Sequence, residues 1–276
     1  MPYGAKNGTV NGTDFVSFGR GEDALLLIPG LGDGLRTVKG MALSLSWLYR
    51  EYAKAYRVYV FSRRNALPEG FTIRDMADDL KGAMDALGLR RADVLGVSQG
   101  GMIAQHLAAA YPEAVGRLAL AVTAAWANPT VQAAAGRWAA WAEAGDYGRI
   151  VTDTAERMYS EKTLRKYRPL YPILARTGRP RSLDRFLIQA RACLGHDARG
   201  ELGRIQCPTL VLGGARDRVV GDVSAELADL IPGAERYVYP ELGIFPPDKA
   251  RFRRNTLCIA RKRNAVWRKK TRPHGV

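Results

Sequence analysis

Ser98 stands between glycines in the run Asp93-Val94-Leu95-Gly96-Val97-Ser98-Gln99-Gly100-Gly101. An apolar stretch leads into it and an alanine-rich stretch leaves it, which puts the serine on a strand-to-helix bend with its hydroxyl exposed. A serine hydroxyl is a weak nucleophile at neutral pH. It needs a base to take its proton and donors to hold the charge that develops on an attacked carbonyl oxygen. The expected donors are the backbone N–H of Gln99, at the start of the departing helix, and that of Leu31 in the glycine-rich loop Pro29-Gly30-Leu31-Gly32-Asp33-Gly34. Backbone donors leave side chains free, so Leu31 can also line an apolar pocket.

A carboxylate to match the serine comes at Asp217, after an apolar run and Gly213-Gly214-Ala215-Arg216. An Asp there can hold and orient an imidazole on a neighbouring strand end. Asp222 is the nearby alternative, and Arg216 and Arg218 would instead draw Asp217 into a surface ion pair. The three histidines of the chain are poorly placed for the imidazole. His106 lies eight residues beyond Ser98 on the departing helix, about 12 Å along its axis, and reads as a partly buried helix residue. His196, followed by Asp197, reads as structural. His274 sits in a Lys/Arg-rich end and would have to fold back.

These residues must be held by strands that alternate with helices. Asp14–Arg20, Ala24–Pro29, Arg57–Phe61, Ala92–Val97, Val115–Val122, Thr209–Leu212 and Glu235–Tyr239 read as strands. Ala24–Pro29 is a continuous apolar run of the kind buried on both faces. Met41–Lys54 has helical spacing of Leu43, Trp47, Leu48 and Tyr52. Ile73–Leu87 is an amphipathic helix with Ile73, Met76, Ala77, Leu80, Ala83, Met84 and Leu87 on one stripe. Helices are also expected over Gly101–Tyr111 and Val223–Leu230. Such alternation implies parallel βαβ units in a doubly wound α/β sheet. From Thr123 to Asp197 the strand signal is lost, and Trp126, Trp138, Trp141 and many alanines predict short helices. Following a strand end, they would form a helical cap insertion over the carboxyl edge of the sheet, where ligands bind in open α/β sheets. The expected division is a core of 1–122 and 198–247, a cap or lid of 123–197, and a basic, poorly ordered tail of 248–276.

Hydrophobic residues make up 47% of the 276 positions, enough for a sizeable core. No apolar stretch is long enough to span a bilayer, and Met1–Arg20 has no signal-peptide type segment. The Asn-Gly-Thr triplets at Asn7 and Asn11 therefore read as chance. Cys193, Cys207 and Cys258 are too few and scattered for a disulfide framework or a metal site, so a reducing cytoplasm is expected. The net charge of +15 suggests nucleic acid until it is located: eleven Lys and Arg, and no Asp or Glu, fall in residues 249–276. The charge belongs to that end, and specific nucleic-acid recognition is not expected.

Taken together, Ile28-Pro29-Gly30-Leu31-Gly32-Asp33-Gly34, Gly96-Val97-Ser98-Gln99-Gly100-Gly101 and Val211-Leu212-Gly213-Gly214-Ala215-Arg216-Asp217 resemble the α/β-hydrolase superfamily over roughly residues 14–243. Asp75–Leu80 and Pro208–Val211 are similar to the small bacterial branch that includes enol-lactonases, esterases and haloperoxidase-like proteins. The resemblance implies an eight-stranded, mostly parallel sheet, a helical cap, no cofactor or metal, and cleavage of an ester, lactone or C–C bond. It also implies a catalytic histidine in a Leu-Gly-His turn after the last strand. This chain reads Glu241-Leu242-Gly243-Ile244 there, and isoleucine cannot relay a proton. The composition breaks at the same point, which one replacement of the natural ending would explain. The expectation is a serine hydrolase acting on a small apolar ester or lactone, impaired in this chain. The alternatives are a non-catalytic protein that keeps the pocket for a small ligand, and a protein that associates with nucleic acid through its basic end.

Overall fold

The computed structural model describes residues 2–159 and 161–240. The chain enters through an antiparallel hairpin of β1 (Lys6–Val10) and β2 (Thr13–Phe18). Asn11 and Gly12 turn it, with φ of 47° and 73°. Both values are positive, as a two-residue turn between right-twisted strands requires, and Asn-Gly is the pair best able to adopt them. Strand β1 is a correction to the sequence reading, which starts the first strand at Asp14 and takes Asn11-Gly12-Thr13 as a chance triplet.

Next come β3 (Ala24–Ile28), α1 (Ala42–Leu48) and β4 (Arg57–Arg64). The helix expected over Met41–Lys54 is broken. It stops at Leu48, a separate short turn covers Tyr52–Lys54, and Leu43 and Trp47 face solvent at 59% and 63% exposure. Strand β4 runs three residues beyond Phe61 and carries Arg63 to the carboxyl edge of the sheet. α2 (Ile73–Ala86) begins in a capping box, with Thr72 Oγ1 accepting from the Asp75 N–H and Asp75 accepting from the Thr72 N–H. β5 (Ala92–Val97), α3 (Gln99–Ala110) and β6 (Val115–Ala121) follow.

Five helices then precede the next strand: α4 (Pro129–Glu143), α5 (Tyr147–Met158), α6 (Glu161–Tyr167), α7 (Tyr171–Leu174) and α8 (Asp184–Leu194). The two feet of this segment are laced together. The Ala127 N–H donates to His196 O, the Ala198 N–H donates to Ala125 O, each at 2.8 Å, and Trp126 bridges Asp197. β7 (Thr209–Gly214), α9 (Ser224–Asp229) and β8 (Glu235–Tyr239) complete the described chain.

Among the described residues the sheet has eight strands in the order β1-β2-β4-β3-β5-β6-β7-β8, parallel from β4 onward and antiparallel where β1 pairs with β2 and β2 with β4. Strands β3, β5, β6 and β7 are apolar and buried on both faces, because helices cover both sides of a parallel sheet. The loops after β3, β5 and β7 therefore open on the same carboxyl edge. Among the described residues no helix is long and apolar enough to cross a membrane.

Candidate active site

Ser98 occupies the bend between β5 and α3 with φ 54° and ψ −121°. A side chain with a Cβ rarely adopts this backbone, so surrounding structure must hold it there. The neighbouring glycines make the bend possible. A Cβ on Gly96 would collide with the Gly100 carbonyl, and one on Gly100 would collide with the Ile28 carbonyl. Strand, bend and helix thus approach more closely than any side chain allows.

The loop after β3 comes up against the serine. A Cβ placed on Gly30 would lie 3.3 Å from Ser98 Cβ and 3.8 Å from its Oγ. Leu31 opens the short helical turn Leu31–Gly34, and Gln99 opens α3. First-turn N–H groups have no partner within their own helix, so both can turn toward an oxygen held beside Ser98. Leu31, Ser98 and Gln99 line one small cavity with Met102, Val131, Ala135, Trp138, Cys193, Val219 and Val220. Its walls are almost wholly apolar. Trp138 is fixed in that wall by a 2.8 Å bond from Nε1 to Asp153 Oδ2.

Asp217 lies in the turn after β7, and its own loop supplies Val219 and Val220 to the cavity. Its Oδ1 accepts from the N–H groups of both, at 2.7 and 2.9 Å. Its Oδ2 is buried without a partner among the described residues. Burial pushes the carboxyl up to about 6, against the opposing pull of the backbone donors. Asp217 is therefore an interior group and not the surface ion-pair member that its neighbours Arg216 and Arg218 would make it. Arg218 instead donates to Glu156 O. The alternative acid, Asp222, is exposed and accepts a long 3.4 Å contact from Ser224 Oγ.

Neither described histidine lines the cavity. His106 Nδ1 lies 3.3 Å from Glu201 Oε2, and its ring meets that of His196 edge-on at 5.3 Å. His106 is fully buried, deeper than the partly buried helix position expected. His196 Nε2 is 3.2 Å from Ala124 O, and burial pushes this imidazole down to about 4. Both serve the seam between α3 and the return of the helical segment. Ile244 and His274 lie outside the described residues.

One layer of the site left no mark in the sequence reading. Arg63, at the end of β4, is buried, and its Nη2 donates to Pro29 O and to Gln99 Oε1, the latter at 3.0 Å. Asp33 Oδ2 accepts from the Arg63 N–H at 3.1 Å and from Arg185 Nη2 at 2.5 Å. Arg185 also donates to the carbonyls of Asp33, Arg63 and Arg64. Gln99 Nε2 reaches back to Gln189 O and Cys193 Sγ on α8. This network ties the Leu31 loop, the start of α3 and helix α8 into one unit. Burial lowers the Arg63 guanidinium to about 10, still charged at neutral pH. With two guanidiniums and one carboxylate, the unit presents excess positive charge behind the candidate donors. Asp33 sits in the glycine-rich loop already singled out, but nothing local marks Arg63 or Arg185 as its partners.

Comparison with known proteins bears on this geometry. A family model described as the alpha/beta hydrolase fold matches residues 23–246. A Cronobacter turicensis protein provisionally named carbamate hydrolase RutD is 36% identical over 108 residues, covering 36% of this chain and 37% of its own. The pimeloyl-[acyl-carrier protein] methyl ester esterase of Chromobacterium violaceum is 32% identical over 164 residues, covering 56% of this chain and 63% of its own. The chain thus spans between about a third and two thirds of the length of these curated relatives. A solved hydrolase from Pseudomonas aeruginosa PA01 superposes over 95% of this chain and 100% of its own, with TM-score 0.74 and 25% identity. The enol-lactonase from Burkholderia xenovorans LB400 covers 93% of this chain and 100% of its own, with TM-score 0.74 and 23% identity, a likeness of fold.

Proposed function

This chain belongs to the α/β-hydrolase fold family, and we propose that it is built as a serine hydrolase of small apolar esters or lactones. The observation that carries the reading is the strained Ser98 backbone facing the Leu31 loop across an apolar cavity, with the Asp217 loop as its far wall. In this reading Ser98 Oγ attacks the carbonyl carbon, and its proton passes to a base. The N–H groups of Leu31 and Gln99 hold the resulting oxyanion. Collapse expels the alcohol and leaves an acyl-enzyme, which water then cleaves by the same route. Helices α4–α8 act as a lid, with Val131, Ala135 and Trp138 closing the cavity over the acyl group.

Asp217 is the acid that would orient an imidazole through its spare Oδ2. The resemblance puts that imidazole at position 244, where this chain has Ile244. The proton transfer therefore has no evident acceptor, and turnover should be low. Loss of a triad member leaves roughly 10³- to 10⁴-fold over water from the donors and binding alone. Assay of p-nitrophenyl acetate tests this. The chain as it stands should run near background, Ile244→His should raise the rate by orders of magnitude, and Ser98→Ala added to Ile244→His should abolish the gain. Full activity in the unaltered chain would mean that another group acts as base.

Asp217 Oδ2, without a partner among the described residues, favours a second reading, a non-catalytic protein that retains the pocket for a small apolar ligand. Ile244→His without any gain in rate, alongside saturable binding of a short ester, would select it.

A further inference from the structure

Helices α6 and α7 and the turn Arg168–Leu170 between them carry a surface that the serine chemistry does not use. Four large apolar side chains stand out of it within eight residues: Tyr167 at 39% exposure, Leu170 at 44%, Ile173 at 59% and Leu174 at 36%. They make up most of the exposed large hydrophobics among the described residues. Leaving them in water is unfavourable by about 25 cal/mol per Å² of apolar surface, and clustering of this kind marks a contact surface.

The segment is nevertheless anchored from beneath. Leu164 is buried at 1% exposure. Tyr171 Oη donates to Glu156 Oε1 at 2.9 Å, and Arg168 pairs with both Glu156 and Glu161. That clamp uses up the only acid within 161–181, Glu161, together with Arg168. Lys162, Arg165, Lys166, Arg176 and Arg181 then remain, all exposed and without an ion pair among the described residues, and beside them the exposed Arg179 donates to Gly145 O at 3.2 Å.

We infer that this face docks on an anionic lipid bilayer. Exposed apolar tips flanked along the chain by Lys and Arg are what an interfacial segment needs: the tips enter the headgroup–acyl boundary, and the long basic side chains reach the lipid phosphates. A second copy of the chain is a poor occupant, since two such faces would bring like charges together. The inference stands whether or not Ser98 is active, because it rests on a different surface.

Co-sedimentation of the full chain with vesicles provides the test. Vesicles of phosphatidylglycerol and phosphatidylcholine in equal parts should bind it, and pure phosphatidylcholine should not. Each basic residue near such a surface contributes about fivefold in affinity. Lys166→Glu with Arg176→Glu should therefore weaken binding by tenfold or more. Ile173→Asp should do so too, although it leaves every cation in place. The cations beyond residue 248 are present in every version, so the differences belong to this face. Unchanged binding by either variant, or no binding by the parent chain, overturns the proposal. So does polyglutamate competing for the parent chain while Ile173→Asp binds vesicles normally, since the face would then serve a soluble acidic partner.

Discussion

At Ser98 and Asp217 the chain holds two groups in states that water would not favour, one by backbone strain and one by burial. The carboxyl is the easier to read by experiment. Its folded value of about 6 lies above the ordinary 3.8. Between about pH 4 and pH 6 the folded chain keeps a proton that the unfolded chain releases. Stability therefore falls as pH rises through that window, by up to about 3 kcal/mol, and is flat above it. Asp217→Asn removes the charge and keeps an acceptor for Val219 and Val220. Urea unfolding at pH 4.5 and 7.5 should show the variant gaining on the parent at the higher pH. A difference that does not change with pH would mean that the carboxylate finds a donor when it ionises.

At the scale of elements, the buried network makes helix α8 part of the loop that carries Leu31. Among the described residues, Arg185 is the side chain of α8 that bonds directly to Asp33. Arg185→Met keeps the length of the side chain and leaves a buried carboxylate facing Arg63 Nη1 at 4.0 Å. Breaking one side of a buried ion pair costs about 3 to 5 kcal/mol, and part of this should appear as local opening. Equilibrium unfolding should show a loss of that order, and limited proteolysis should cut sooner within 175–183. A global loss with no change in cleavage would mean that α8 is held by apolar packing alone. The legibility of the sequence follows from the same distinction. Ala24–Ile28 and Ala92–Val97 are readable because burial on both faces leaves a run of apolar residues. Lys6–Val10 is an exposed edge strand with a polar composition, marked only by the Asn-Gly turn that follows it. The stripe of Leu43 and Trp47 has helical spacing but faces water, since periodicity reports a face and not its direction. Leu31, Ser98 and Gln99 were readable as site candidates because each belongs to a local pattern. Arg63, Asp33 and Arg185 were not, because their bonds span 30 to 152 positions along the chain.

At the scale of the whole molecule, charge and fold are separable. Most of the +15 comes from the eleven cations of residues 249–276, whereas the eight described strands all lie before residue 240. Ending the chain after Asp248 should leave folding cooperative and remove most of its retention on heparin. The retention of the parent should fall steeply with salt, as counterion release requires. Failure of the shortened chain to fold would show that these residues close the domain. The laced feet of the helical segment have a further consequence, for inheritance. Trp126 and Asp197 are bridge partners, so everything between them leaves the sheet and returns to it at one point. Such a segment can be lengthened, shortened or exchanged without shifting the register of β6 against β7. On the proposed function, a lineage can revise what it recognises through helices α5–α7 while α8, whose Arg185 holds Asp33, stays with the Leu31 loop, and the doorway becomes the part of the house most freely rebuilt.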